Sequence, residues 1–183
     1  AIKDNPARHL RVRGTGDARA PFFTNEDEKR LIFELSQMSN PNHLRLTKLA
    51  LTTGFRRSEL LSLRWRDIDL KKNLLHIYRK NCAARDSYPA MKIVPLPAKA
   101  KKILEELSER HGKIIDLTKG EARHGFDKAR KRAGLNTLRF HDLRHIAISR
   151  MWSSGMNALE ISACSGHRDI KMLMRYSHYQ LSF

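Results

Sequence analysis

A chain of 183 residues, 40% of them hydrophobic, has enough apolar residues to bury one core, which excludes an extended tail. Its 36 Lys and Arg against 19 Asp and Glu give a formal net charge of +17, and so basic a domain favours nucleic acid as its partner. No apolar run is long enough to cross a bilayer and no signal-peptide pattern opens the chain, so we expect a soluble, intracellular protein.

The N-terminal half of the chain is predicted to begin with a linker and continue as helices. Residues 1–23 lack periodicity and contain glycines and prolines, so we expect an arm or linker there and one folded domain over 24–183. Thr24 is a good helix cap and acidic residues follow it, which predicts the first helix. Two more helices are expected at about 41–53 and 57–65.

The remainder is predicted to be helical after one strand-rich interruption. LLHIYRK and KIVPLP are short and rich in Ile, Val and Tyr, so they predict two strands joined by the polar loop 81–90. The fold class is therefore mainly α with a small antiparallel β-sheet (α+β). The later helices are expected at about 98–110, 119–133, 141–153, 157–164 and 169–178.

The segment RFHDLRHIAISR concentrates basic residues on one side of a predicted helix. His141, Arg144 and His145 stand at i, i+3 and i+4, so they share an arc of about 100 degrees. This spacing alone fits either an ordinary solvated basic face or a site for an anion. Two His four residues apart can also bind zinc, but that motif needs a Glu after the first His, where this chain has Asp142.

Two further segments carry residues of the same chemistry. TTGFRRSELLSLRWRDID has Gly54 where one helix should stop and Arg56 in the turn that opens the next. SGHRDIKMLMRYSHY has His167 after a glycine and Tyr176 nine residues later. With HDLRH, these segments resemble the catalytic motifs of the tyrosine recombinases, the phage-integrase family: TGxRxxEL, HxLRH, and GH followed by Tyr. The resemblance extends over about residues 24–178 and implies the integrase catalytic-domain fold.

The resemblance implies a metal-independent attack on a DNA phosphodiester. Arg56 and Arg144 would clamp the phosphate, because a guanidinium stays protonated and binds two oxygens at once. His167 would donate to the same oxygens. Tyr176 would be the nucleophile, forming a 3'-phosphotyrosine, and His141 the base that takes the phenolic proton.

The resemblance also implies supporting residues and leaves two assignments open. Glu59 would orient the first arginine and His145 would support the site by hydrogen bonding. In the family a hairpin lysine protonates the departing 5'-oxygen; Lys80 is the expected acid and Lys92 the second choice, because the loop between the strands is longer than the family turn. Helical spacing cannot separate Tyr176 from Tyr179; only the family spacing favours Tyr176.

The implied partners are double-stranded DNA and other recombinase subunits in a synaptic tetramer, with no cofactor, metal or membrane. Within the family, the motifs look most like those of the shufflon-type DNA invertases and related integrases. We expect a cytoplasmic, nucleoid-associated protein of bacterial or phage origin. The N-terminal core-binding domain usual in the family is expected to be absent from this chain. Two alternatives stay open: a DNA-binding module of the same fold that is inactive in isolation, and a type IB topoisomerase-like enzyme that relaxes DNA.

Overall fold

A computed structural model describes residues 23–78, 91–108, 110–167 and 171–174. Helix α1 spans Asn25–Ser36 and begins as the sequence predicts: the Thr24 hydroxyl accepts the Asp27 N–H at 3.1 Å and the Asp27 carboxylate accepts the Thr24 N–H at 2.9 Å. Helix α2 spans Asn42–Thr53 and ends at Gly54, whose φ of 66° is the left-handed conformation that favours glycine.

A three-stranded antiparallel sheet follows the short helix α3, Arg57–Ser62. After a 3-10 turn at Trp65–Asp67, strand β1 is Ile68–Asp69, β2 is Leu74–Tyr78 and β3 is Met91–Pro95. The strand order is β1-β2-β3, with Leu75 opposite both Ile68 and Val94. The two predicted strands are confirmed as a pair, and they carry one further short strand.

Five more helices complete the described chain, and three of them, α4, α5 and α6, pack on α2. Helix α2 contacts α1, α3, α4, α5 and α6, while α7 packs on both α6 and β3. The core is correspondingly continuous from Leu31 in α1 through Leu49 in α2 to Leu143 in α6. These helices are α4 (Ala98–Glu105), α5 (Lys119–Arg132), α6 (Asp142–Ser153), α7 (Ala158–Ser165) and α8 (Lys171–Met174).

Two predicted helices are shorter than expected. Helix α3 ends at Ser62 rather than near 65, because Leu63 is extended and Arg64 forms a bridge with Lys113. Helix α4 ends at Glu105 rather than near 110. In the part of the chain that the structure describes, no helix is long and apolar enough to cross a membrane.

The basic arc of α6 is only partly solvated: Arg144 is buried, His145 is half-buried and His141, just before the helix, is exposed. Leu143, Ile146 and Ala147 lie in the core as expected, but Arg144 is also only 4% exposed. The spacing identified which side chains share an arc. It did not reveal that other elements cover Arg144.

Candidate active site

The turn between α2 and α3 places Arg56 at the entrance of the site. The Arg56 backbone N–H donates to Glu59 Oε2 at 2.8 Å, and its guanidinium lies 3.3 Å from Glu59 Oε1. Glu59 is nearly buried, whereas the Arg56 side chain is 52% exposed. Glu59 therefore holds Arg56 from the buried side, and the remaining N–H donors of the Arg56 guanidinium face outward.

Arg144 is the buried centre of the site. Its Nη1 donates to the carbonyl oxygen of Ser165 at 3.0 Å and to that of Gly54. A Cβ on Gly54 would make only an ordinary contact with Ala147 Cβ, at 3.5 Å, so the positive φ of Gly54 and not a lack of space favours glycine at this point. Arg144, which belongs to the HDLRH motif, thus links the TGFR motif to the SGH motif by hydrogen bonds.

His167 lies directly beside Arg144 at the end of α7. Its Nε2 is 2.9 Å from Arg144 Nη2, and its Nδ1 is 2.6 Å from the Ser165 hydroxyl. Burial, together with the positive charges of Arg144 and Arg56, lowers the pKa of His167 from 6.5 to about 3. His167 is therefore neutral at pH 7.

Lys92 on β3 brings another cation to the same place. Its ammonium lies 3.5 Å from Glu59 Oε1 and 5.6 Å from the centre of the Phe55 ring, and its side chain is 14% exposed. A Cβ at Gly166 would overlap this ammonium, so the glycine makes room for it. Burial lowers the pKa of Lys92, Glu59 opposes that effect, and Arg144 adds to it.

His141 and His145 stand at the start of α6 with their rings edge to face, 5.1 Å between centroids. Burial and the neighbouring Arg144 lower the pKa of His141, so its imidazole is neutral near pH 7 and able to accept a proton. His141 lines a cavity of about 270 Å³ that is also bordered by Phe55, Phe140 and Arg144.

The structure brings six of the predicted site residues together: Arg56, Glu59, His141, Arg144, His145 and His167. Lys80, Tyr176 and Tyr179 lie outside the described residues. Within the described ranges, no group of three or more His, Cys, Asp or Glu is arranged to hold a metal ion.

Sequence reasoning missed three contributions to this geometry. Gly54 is predicted from the sequence only as the end of a helix, but its carbonyl oxygen also accepts a hydrogen bond from Arg144. Gly166 is part of the GH motif in the sequence, but it also leaves the space that the Lys92 ammonium occupies. Ser165 was not singled out, although its place two residues before His167, at the end of a helix, could have drawn attention to it.

Comparison with known proteins identifies the family of this chain. The model of the phage integrase family matches residues 21–182. The shufflon-specific DNA recombinase of Escherichia coli is 36% identical over 182 residues, covering 96% of this chain and 44% of that protein. The chain thus spans less than half the length of that relative.

Two solved structures share the fold. The catalytic domain of bacteriophage HP1 integrase superposes with a TM-score of 0.68 at 25% identity, covering 86% of this chain and 87% of that one. A lambda integrase dimer bound to a core site gives a TM-score of 0.60 at 22% identity, covering 82% of this chain and 59% of that one. With the motifs joined around Arg144, a family match over most of the chain and this shared fold, the chain belongs to the phage integrase family.

Proposed function

We propose that this chain is the catalytic domain of a tyrosine-type site-specific DNA recombinase. The observation that carries the proposal is Arg144, a permanently charged side chain that is 4% exposed and lies beside His167. Keeping such a charge out of water is costly, so a site built around it is suited to an anion. Family membership supports a DNA phosphate as that anion.

The cations of the site would act on the transition state. Displacement at phosphorus adds negative charge to the non-bridging oxygens, and donors fixed in advance stabilise that charge without reorganising. One such donor contributes on the order of 100- to 1,000-fold in rate. Arg56 and Arg144 supply the guanidinium groups, and Glu59 keeps the first of them in place.

Tyr176 would be the nucleophile. Its phenolic oxygen forms a bond to phosphorus, the bond from phosphorus to the 5'-oxygen breaks, and the DNA is held as a 3'-phosphotyrosine. A phenol has a pKa near 10 and needs a base at pH 7. The neutral imidazole of His141 supports that role, and the imidazolium can return the proton when the strand is resealed.

The departing 5'-oxygen needs a proton, which a lysine would give. Lys80 remains the predicted donor from the family pattern. Lys92 is the alternative: its ammonium lies beside Glu59, and burial lowers its pKa below the ordinary lysine value, which makes it a stronger acid than an exposed lysine. Resealing uses the energy kept in the phosphotyrosine, so neither a nucleotide nor a metal enters the scheme.

Double-stranded DNA is the proposed substrate, and other subunits of the recombinase are the proposed protein partners. The net charge of +17 supports a polyanion, and the lambda integrase of the same fold is a dimer on its core site. Strand exchange would then require a synaptic tetramer. We place residues 24–183 in the catalytic domain, with residues 1–23 as an arm or linker, and the natural outcome as integration, excision or inversion of DNA in the cytoplasm.

A covalent-capture experiment tests the proposed activity. The chain is incubated in EDTA with nicked duplexes. Cleavage next to the nick releases a short strand that diffuses away, so the covalent adduct accumulates. The sequence around the nick is randomised because the target site is unknown. We expect an adduct that survives SDS and whose DNA-bearing peptide contains Tyr176. Tyr176→Phe should abolish the adduct and Tyr179→Phe should leave it.

Four results would count against the proposal. An adduct on Tyr179 would move the nucleophile, and an adduct that needs added divalent metal would refute the mechanism. Binding to every duplex with no adduct would favour the inactive DNA-binding module. Relaxation of supercoiled plasmid without strand exchange would favour the topoisomerase-like alternative.

A further inference from the structure

The hydroxyl of Ser165 lies between a helix carbonyl and the ring of His167. Ser165 Oγ is 2.6 Å from the carbonyl oxygen of Ile161, one turn back in α7, and 2.6 Å from His167 Nδ1. Ser165 itself is fully buried. Both contacts are short enough to be hydrogen bonds, but a hydroxyl has one hydrogen to donate.

The Ile161 carbonyl settles where that hydrogen goes. A carbonyl oxygen only accepts, so at 2.6 Å the Ser165 hydroxyl must donate to it. The hydroxyl can then only accept from the His167 ring. Nδ1 of His167 therefore carries a proton and donates it to Ser165 Oγ, and in the neutral imidazole Nε2 is left without one.

Arg144 does not determine which ring nitrogen of His167 carries the proton. Its Nη2 is 3.1 Å from His167 Nδ1 and 2.9 Å from Nε2, so it could donate to whichever nitrogen is unprotonated. With Nδ1 donating to Ser165, Nη2 donates to Nε2 and every one of these groups has a partner. In the opposite tautomer, the lone pair of Nδ1 would face the Ser165 oxygen at 2.6 Å with no hydrogen between them, because the hydroxyl hydrogen is donated to Ile161.

We propose that Ser165 is a positioning residue that holds His167 in the Nδ1–H tautomer, so that Nε2 is the ring atom presented to a bound phosphate. The part of this inference that concerns phosphate rests on the proposed function. The tautomer itself is a property of the DNA-free protein.

The tautomer determines how His167 can serve the site. Four basic side chains face His167: Arg144 and His145 of α6, Arg56 before α3, and Lys92 of β3. They and burial keep the free ring neutral, so Nε2 accepts from Arg144. The negative charge of a phosphate opposes these effects. Nε2 then takes a proton from the buffer, and the resulting Nε2–H donates a hydrogen bond to a phosphate oxygen. The hydrogen bond from Nδ1–H to Ser165 persists.

Nitrogen NMR of the histidine rings in the DNA-free protein tests the proposal. The protein is labelled with ¹⁵N at histidine, and the signals of His167 are assigned from their loss in His167→Gln. We expect the Nδ1–H pattern at pH 7. Ser165→Ala and the size-matched Ser165→Cys, whose sulfur is a poor acceptor, should shift the tautomer ratio toward Nε2–H by about fivefold or more, the equivalent of one hydrogen bond.

Ser162→Ala is the matched control. The Ser162 hydroxyl also lies on α7 and contacts His167, but it donates to the backbone carbonyl at 2.8 Å and not to the ring. Its removal should leave the tautomer unchanged. An Nε2–H pattern in the parent protein, an unchanged pattern in a folded Ser165 variant, or an equal shift in the Ser162 variant would each overturn the proposal. These outcomes need no DNA cleavage, so they are independent of the proposed activity.

Discussion

At the scale of single residues, the two candidate lysines can be separated by the chemistry of the leaving group. Replacing the 5'-oxygen by sulfur gives a leaving group of much lower pKa that needs no acid. If Lys80 is the acid, Lys80→Ala should cleave the oxygen substrate slowly and the sulfur substrate at nearly the parent rate, as measured by adduct formation over time.

The same pair of substrates identifies the alternative. Rescue of Lys92→Ala, with no rescue of Lys80→Ala, would make Lys92 the acid. Arg144→Lys serves as the control, because it removes a bidentate donor and not the proton source. Sulfur should not restore its rate.

His167 also gives the protein a pH-dependent stability. Its pKa is about 3 in the folded protein and near 6.5 when unfolded, so the unfolded state binds more protons between these values. The free energy of unfolding should therefore fall as pH falls below 6.5. Urea denaturation at pH 7 and pH 5 should show a larger loss for the parent protein than for His167→Gln.

The exposed His111 supplies the comparison for that measurement. His111→Gln should keep the parent difference between the two pH values. If His167→Gln kept it too, the ring would not be the titrating group.

At the scale of secondary-structure elements, the C-terminal end of α7 is shaped by Gly166. Its φ is 69°, and a Cβ there would overlap the Lys92 ammonium. Gly166→Ala should therefore destabilise the fold by about 1 kcal/mol or more through the left-handed backbone and also displace Lys92. We expect a lower melting temperature together with a loss of adduct formation.

Gly134, at the end of α5, has the same conformation without the same neighbour. Its φ is 74°, and a Cβ there would meet Arg30 Nη1 only at 3.7 Å. Gly134→Ala should cost similar stability and leave cleavage intact in the folded protein. Equal losses of cleavage in both variants would contradict the role of Gly166 in making room for the Lys92 ammonium.

The sequence predicted these elements well where the signals are local. Thr24 and Gly54 mark helix ends by their own chemistry, and both ends are confirmed. Strand β1 was missed because two residues, Ile68–Asp69, are too few to show alternation. The burial of Arg144 was missed because it depends on α2 and α7, which are distant in sequence.

At the scale of the whole molecule, the charge of +17 should dominate DNA binding. Each neutralised phosphate releases counterions, so log K should fall with log salt with a slope of about −0.9 per phosphate contacted. Fluorescence anisotropy with a duplex oligonucleotide across salt concentrations measures this slope.

A duplex whose backbone carries no phosphates gives the matched comparison. It should bind far more weakly and with little dependence on salt. Equal affinity for the two duplexes, or a flat dependence for DNA, would contradict electrostatic binding.

The two carbonyls that accept from Arg144 have a consequence for the range of conditions in which the site stays assembled. Gly54 follows the end of α2 and Ser165 ends α7, so the guanidinium lies against the negative poles of two helix macrodipoles. Peptide dipoles do not titrate, so the attraction between these helix ends and the Arg144 guanidinium does not depend on pH. Arg144 should therefore stay where α2 and α7 meet at any pH at which those helices remain folded.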